Sequence, residues 1–324
     1  MQRRSFLGTA AAFAAVPSLT LAQAPAWPAR PLRLVIAYPP GGSTDIAGRL
    51  LAERLGRVLG QQVVVDNRGG AGGTVGTSSV VRAEPDGYTL LLAASPEVSI
   101  APTTMKSLSY NPVTDLAPVS LVGQVPFMLV VNPQLPAQTL REFIAHARAN
   151  PGKLNYSSFG NNTSNHLNGE LLKSLAGFEA QHVPYKGSGP SITDLIGGQV
   201  QYTLDTPPAV LEHVRAGRLR ALAVATARRL TTAPEVPTFA EAGLPEFMGG
   251  TWFGLLAPAR TPGAIVERLN RETVALLASD ELSKAFNDRN IVPSGNSADA
   301  FGRFIRSEVE KWTLLAGKVG IVAE

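Results

Sequence analysis

Tyr38-Pro39-Pro40-Gly41-Gly42-Ser43-Thr44-Asp45 separates an apolar run, Leu34-Val35-Ile36-Ala37, from a segment in which Ile46, Leu50, Leu51, Leu55, Val58 and Leu59 recur at the spacing of one helix face. These eight residues read as a strand-to-helix turn, with Ser43 or Thr44 of the type that caps a helix start. Two glycines let backbone approach a ligand closely. The unpaired N–H groups and the dipole of a helix start favour negative charge, so the turn can cradle an anion or carboxylate. Every parallel α/β protein has such turns, and ligands sit at the carboxyl ends of only some strands. The turn alone leaves a ligand role open.

A second stretch repeats the chemistry. Asn155-Tyr156-Ser157-Ser158-Phe159-Gly160 leads into Asn161-Asn162-Thr163-Ser164, after which Leu167, Leu171, Leu172 and Leu175 mark a helix face. The two turns, far apart in the chain, can face each other across a cleft and hold the two ends of a small anion, with Thr44 and Thr163 on opposite sides. Thr163 is expected to cap its helix. A branched residue at Gly42 is expected to block backbone access and to resist positive φ.

With 324 residues and 44% hydrophobic content, the chain can bury a large core and is expected to form two α/β domains. Charged residues make up 17% and do not cluster into runs, which argues against disorder and low complexity. There is no cysteine. Disulfides, thiolate metal sites, thiol catalysis and lipid attachment through a thiol are thereby excluded.

Met1-Gln2-Arg3-Arg4-Ser5-Phe6-Leu7 carries paired arginines ahead of the weakly apolar, alanine-rich segment 7–16. Residues 1–24 read as an export signal of the twin-arginine type, although an ordinary secretory leader can also hold two arginines. Ala22-Gln23-Ala24 suits the cleavage rule but precedes Pro25, and Thr20-Leu21-Ala22 is the alternative, so the cut is expected near 22–26. Arg3 and Arg4 are the only charges removed, and the formal net charge falls from +4 to +2. No basic stripe with interleaved aromatics appears, and nucleic acid is not an expected partner. Beyond residue 24 no apolar run is long enough to span a membrane.

Along the chain, a strand at 32–37, helix at 45–59, strand at 62–66, glycine-rich loop with helix to 82, and strand at 88–93 make a βαβαβ unit. Gly70-Ala71-Gly72-Gly73-Thr74-Val75-Gly76 follows the second strand, not the first, and does not fit a dinucleotide fingerprint. It reads instead as a loop needing positive φ and close helix-to-strand packing. Strands at 118–122 and 127–132 are expected to cross between domains. Thr139-Leu140-Arg141-Glu142 is a capping box. Strand–helix units follow to about 226, then a Pro/Gly-rich connector at 234–249, a strand at 252–257, and helices that return to the first domain. The expected division is 25–123 with 250–324 as domain 1 and 124–249 as domain 2, joined by two crossing hinge connections around a central ligand cleft.

Few residues support catalysis. No Gly-x-Ser-x-Gly elbow occurs, and the histidines are His146, His166, His182 and His213. His166 and Glu170, four apart, suit a shared metal only if further ligands join them; otherwise they form a helix-surface hydrogen-bonding pair. Asp45 is either a general base or a first-turn acid that suits the helix dipole. Ser95, at the end of the third strand, is a candidate site hydroxyl or a helix cap. Asp205, beside Pro207-Pro208, either takes a ligand group or caps the next helix. Lys186 can add a cation, although exposed lysines are commonly unpaired. Neutral donors at strand ends favour a binding site over an active site, the alternative being an enzyme that acts on a small acid with Asp45 or Asp205 as base.

Tyr38-Pro39-Pro40-Gly41-Gly42-Ser43-Thr44-Asp45, Val65-Asp66-Asn67-Arg68-Gly69-Gly70-Ala71-Gly72-Gly73, Pro85-Asp86-Gly87-Tyr88-Thr89-Leu90-Leu91, Val183-Pro184-Tyr185-Lys186-Gly187 and the stretch from Ser158-Phe159-Gly160 to His166-Leu167 resemble the tripartite tricarboxylate transporter substrate-binding proteins, the Bug family. The resemblance runs from about residue 30 to the end. It implies a type II periplasmic binding protein fold, α/β in both domains, that captures a small carboxylate in the periplasm for membrane permease subunits or a sensor. It implies that the turns grip carboxylates from opposite domains, the first partly through ordered water. The ligand-binding set expected on these grounds is Tyr38, Gly41, Gly42, Ser43, Thr44, Asp45, Ser95, Ser158, Asn161, Asn162, Thr163, Ser164 and Asp205. No cofactor or metal is called for, and a monomer is expected. Gly69 stands where many relatives have proline, in a loop assigned to packing.

Overall fold

The computed structural model describes residues 27–319 and 321. The export signal expected at 1–24, with its arginine pair and cleavage site, lies outside the described residues. In chain order the elements are β1 (Leu32–Ile36), α1 (Ser43–Leu59), β2 (Val63–Asn67), α2 (Thr74–Val81), β3 (Thr89–Ala94), α3 (Ala101–Thr104), β4 (Leu116–Pro126), β5 (Met128–Val131), α4 (Leu140–Ala149), β6 (Asn155–Ser158), α5 (Ser164–Ala176), β7 (Gln181–Pro184), α6 (Ser188–Ile196), β8 (Tyr202–Asp205), α7 (Pro207–Arg215), β9 (Arg220–Val224), β10 (Gly250–Pro258), α8 (Gly263–Ala278), α9 (Asp280–Asn287), β11 (Val292–Pro293) and α10 (Ala298–Val319). No described helix is long and apolar enough to cross a membrane.

Two sheets organise these elements, with spatial orders β11-β4-β10-β3-β1-β2 and β7-β6-β8-β5-β9. In the first, β1 lies between parallel β2 and β3. In the second, β6 lies between parallel β7 and β8. Each sheet then takes one antiparallel strand supplied across the junction: β10 beside β3, and β5 beside β8. The two bodies thus share one topology.

The continuous apolar run of β1 is explained by burial on both faces. Leu32, Leu34 and Ile36 pack with Ala47, Leu51 and Leu55 of α1. Val35, pointing the other way, meets Val80 of α2 and Phe301 and Ile305 of α10. β5 does the same in the second body, with Leu129 and Val131 on one face and Met128 and Val130 on the other. Each such fully buried side chain contributes about 1.5–3 kcal/mol of transfer free energy.

β4 stays in the first sheet up to Pro126, and the chain passes to the second at Phe127. It returns at Gly249, whose carbonyl accepts the Phe127 N–H at 3.1 Å, so the two crossings touch. A cluster of Ile100, Leu167, Trp312 and Leu315 packs α5 of the second body against the first body and α10.

Several expectations change in detail. The Pro/Gly-rich segment at 234–249 is not a bare connector, because it buries Phe239, Leu244 and Phe247 in the core of the second body. α6 begins at Ser188 rather than 191, since Pro190 sits in the first turn, where its missing N–H costs nothing. The segment after β10 is not wholly helical: β11 pairs with β4. Half of the capping box forms as expected, with Thr139 Oγ1 accepting the Glu142 N–H at 3.2 Å. The Glu142 carboxylate reaches one residue further back, to the Gln138 N–H at 2.6 Å.

Candidate functional site

β1 and β6 are the strands from which the chain departs in opposite directions across its sheet. Their carboxyl ends are switch points, where open α/β sheets bind ligands. The stretches 38–45 and 159–164 occupy these two equivalent places.

At the first, Gly41 has φ +91°, a left-handed conformation that suits glycine. Gly42 does not: it is extended, at φ −78° and ψ 169°, and a Cβ there would have open space around it. Resistance to positive φ therefore belongs to Gly41. Gly42 is the N-cap of α1, and neither Ser43 nor Thr44 caps the helix through its side chain. The first N–H groups of α1 are left without a side-chain acceptor.

Asp45 secures this turn from behind. Its carboxylate accepts the Gly41 N–H at 2.9 Å, the Arg49 Nε–H at 3.0 Å and the Asn67 amide at 2.9 Å. Asn67 also donates to the Tyr38 carbonyl at 3.0 Å. Burial alone would raise the Asp45 pKa, but Arg49, the Gly41 N–H and Asn67 outweigh it and hold the carboxyl below its ordinary range. An anion so occupied braces the turn. The glycine-rich loop backs the same turn. A Cβ on Gly76 would fall 2.7 Å from the Arg68 carbonyl oxygen and 2.9 Å from Ala37 Cα, the close helix-to-strand packing expected there.

Tyr38 donates to Glu97 at 2.6 Å, and Glu97 also accepts the Ala94 N–H at 2.6 Å. Glu97 is fully buried, and burial pushes its carboxyl up to about 7 against the lowering effect of those bonds. Ser95 is buried and does not cap a helix; its hydroxyl lies 3.0 Å from that of Thr251, tying the end of β3 to the start of β10.

In the second body, Ser158 turns inward. Its hydroxyl donates to the Gly160 carbonyl at 2.9 Å and accepts the Gly160 N–H at 3.1 Å. Asn161 is exposed, and Asn162 is left-handed at φ +60°. Thr163 is the N-cap residue of α5 but makes no side-chain cap bond. Its hydroxyl lies 2.7 Å from the Gly160 carbonyl and 2.8 Å from Asn165 Oδ1. Ser164, buried, opens the helix. Both switch points thus end in a helix start with no side-chain cap.

Asp205 is fully buried. It accepts the Ser188 hydroxyl at 2.6 Å and the Thr206 N–H at 2.6 Å, so it anchors the start of α6. It does not cap α7, whose N-cap residue is Thr206. Burial lifts its carboxyl to about 7 against the lowering by Ser188 and Thr206. Lys186 is exposed. Glu170 does not bond to His166; it accepts the Tyr156 hydroxyl at 2.6 Å and Lys173 at 2.8 Å. Among the described residues no three His, Cys, Asp or Glu side chains gather as a metal set.

Asn67, Glu97, Ser188 and Thr251 were not singled out in the sequence. The signal available for Asn67 and Thr251 was position alone, at the end or start of a strand beside β1 or β3. A surface cavity of about 650 Å³ lies between α8 and α10, lined by Gly263, Asn270, Ser297 and Arg303 among others, and no residue of either turn lines it.

A family model described as "Tripartite tricarboxylate transporter family receptor" matches residues 47–321. Protein BugT of Bordetella pertussis is 41% identical over 295 residues, covering 91% of this chain and 90% of its own. Among solved structures, an R. palustris protein with adipate is 36% identical at a TM-score of 0.85, covering 92% of this chain and all of the other. MatC from Rhodopseudomonas palustris, with bound malate, is 30% identical at 0.79, covering 89% and 99%. With these matches over nearly the whole described chain, and with two sheet-and-helix bodies of common topology, the chain belongs to the tripartite tricarboxylate transporter receptor family.

Proposed function

We propose that the protein is a periplasmic solute receptor that closes on a small carboxylic acid and presents it to the permease of a tripartite tricarboxylate-type transporter or to a sensor. The observation that carries this reading is the pair of helix starts, α1 and α5, at equivalent switch points and without side-chain caps. Their N–H groups and dipoles suit one carboxylate each. The neighbouring basic group, Arg49, is engaged by Asp45. Neutral donors therefore do the holding, and a dicarboxylate spanning both turns is the ligand class that fits. Adipate and malate, held by two related structures, are the first candidates.

In this reading Gly41, Gly42, Ser43, Thr44, Asn161, Asn162, Thr163 and Ser164 meet the ligand. Tyr38, Asp45 and Ser158 hold those segments in shape, while Ser95 ties β3 to β10 and Asp205 anchors the start of α6. The halves divide near the crossings at Phe127 and Gly249, and a bound acid favours the closed form only as far as it binds that form better. The protein acts as a monomer, carried to the periplasm by the export signal at 1–24. Calorimetry with adipate, malate and their methyl esters tests this: the acids bind and the esters do not, because an ester leaves site N–H groups poorly paired. Equal affinity for acid and ester, or turnover of the acid seen by mass spectrometry, overturns it. Arg3 and Arg4 both changed to lysine should leave the protein in the cytoplasm.

A further inference from the structure

The turn at 158–164 is backed by two imidazoles that belong to no ligand contact described above. His182, on β7, places Nε2 at 2.6 Å from the Ser158 hydroxyl. His166, in the first turn of α5, places Nδ1 at 3.1 Å from the Asn162 N–H. The two rings stack at 3.9 Å between centroids and 12° between planes. Tyr156 covers the other side of His182, at 5.0 Å and 31°.

These bonds fix the tautomer of His166 and, once the Ser158 proton is placed, that of His182. The Ser158 hydroxyl gives its one proton to the Gly160 carbonyl. With that proton so placed, His182 donates through Nε2–H, one of the two tautomers this contact accommodates. The Asn162 N–H can only donate, so His166 Nδ1 must be a bare acceptor, with its proton on Nε2. Asn162 is left-handed at φ +60°, which asparagine tolerates better than most residues, and the His166 acceptor pairs its N–H.

We propose that His166 and His182 are positioning residues: as a stacked, neutral pair they hold the backbone of the 158–164 turn in the shape that grips a carboxylate. The inference rests on the reading of that turn as half of the ligand site.

The surrounding charges agree with it. The acid facing the rings is Glu170 of α5, and it is already shared between the Tyr156 hydroxyl and Lys173. The other groups that face them are Lys173 itself and Tyr156 of β6, on whose ring Tyr202 of β8 stacks in turn. Burial, with His166 and then Lys173 adding to it, depresses His182 to about 3. Burial likewise lowers His166, with Glu170 opposing and Lys173 assisting. Protonating His166 at Nδ1 would set a donor against the Asn162 N–H and a charge against the stacked ring. The turn would then lose its support from the side away from the ligand.

The test uses two kinds of replacement in the full mature chain and adipate as probe. His166→Leu and His182→Leu remove the bonds; His166→Asn keeps an acceptor near Nδ1, and His182→Gln keeps a donor near Nε2. The leucine variants are expected to bind adipate at least tenfold more weakly, while the amide variants stay within about threefold of the parent. Unchanged affinity in the leucine variants, or a tenfold loss in the amide variants, overturns the proposal, and the amide arm decides if the leucine variants do not fold. A ligand-free readout separates this proposal from the function it rests on. In nitrogen-15 NMR both rings should show the Nε2–H tautomer at pH 7, and the Asn162 amide resonance should move as His166 titrates below pH 6.5 but stay still in His166→Asn. A charged His166 at pH 7, or an Asn162 amide indifferent to its titration, refutes the positioning role even if adipate proves not to be bound.

Discussion

Replacing Glu97 with glutamine should abolish most of a fall in stability that the parent shows as pH rises from about 4.5 to about 7. Glu97 is buried with two donors, Tyr38 and the Ala94 N–H, and no ion pair among the described residues includes it. Burial lifts its carboxyl from an ordinary 4.5 to about 7. Below 4.5 the group is neutral in both folded and unfolded chains, and its full contribution is present. Through the window above, the unfolded chain ionises in water while the folded one lags, and the contribution is lost by the time pH passes 7. The difference amounts to roughly 3 kcal/mol. Glutamine fits the same place: its oxygen can accept the Ala94 N–H and its amide can donate to the Tyr38 oxygen. The Tyr38 hydroxyl then turns to the Gly72 carbonyl, already 3.3 Å away. Giving up one hydrogen bond of the neutral carboxyl sets a penalty of about 1 kcal/mol at low pH. Urea melts at pH 4.5, 5.5, 6.5 and 7.5 should therefore show Glu97→Gln slightly weaker than the parent at the first and stronger by about 2 kcal/mol at the last. Parallel profiles would show that Glu97 ionises as it does in water, and would refute the argument from burial.

Asp45→Asn should cost about 2 kcal/mol in a urea melt at pH 7, because it removes the charge-assisted bonds that brace the Pro-Pro-Gly-Gly turn. Since the Asp45 carboxyl is held below its ordinary 3.8, its contribution is present above that value and lost as pH falls through the lower folded value, so the variant should lack that part of the acid loss. Gly42→Val should melt like the parent, as its extended backbone and open surroundings permit a side chain, yet lose carboxylate binding in calorimetry; Gly41→Val should lose stability as well, because its φ is +91°. Gly76→Ala should lower stability by about 1–3 kcal/mol, since its Cβ meets backbone atoms that cannot turn aside, and a melting curve matching the parent's would refute the close packing.

The elements that carry the candidate site were legible because their signals are local. Leu34 to Ala37 followed by a helical face at Ile46 to Leu59 admits one reading, and the same signal recurs at Asn155 to Leu175. The brace behind each turn was not legible. Asp45 finds Asn67 only because β2 lies parallel to β1, with Ile36 opposite Asn67. Glu97 looked like any acid after a proline, and a charge-bearing residue at zero exposure runs against the usual rule for burial. The segment at 234–249 was hidden by its composition: prolines and glycines punctuate it, while Phe239, Leu244 and Phe247 are spaced to no helix or strand period. β4 was equally obscure, because Pro118, Gly123 and Pro126 interrupt it. It is tolerated as one strand because the register with β10 shifts at Phe253/Gly254 and at Leu255/Leu256.

The two bodies repeat one topology, yet they hold their turns by different chemistry, and that difference bears on how a ligand is gripped. In the first, a buried anion, Asp45, pulls the Gly41 N–H backward and leaves the helix start beyond it uncapped. In the second, the supports are neutral: Ser158 spans its own turn and an imidazole takes the Asn162 N–H. A carboxylate arriving at α1 meets N–H groups with a fixed negative charge one turn behind them, which weakens the attraction. One arriving at α5 meets the same donors without that opposing charge. Coulomb's law at a separation of one helix turn makes the bare charge worth about 3 kcal/mol at surface-like dielectric values, and Arg49, 3.0 Å from Asp45, offsets most of that. The α5 side should therefore bind first and tightest. The α1 side should engage as the cleft closes, with water able to fill the longer contact.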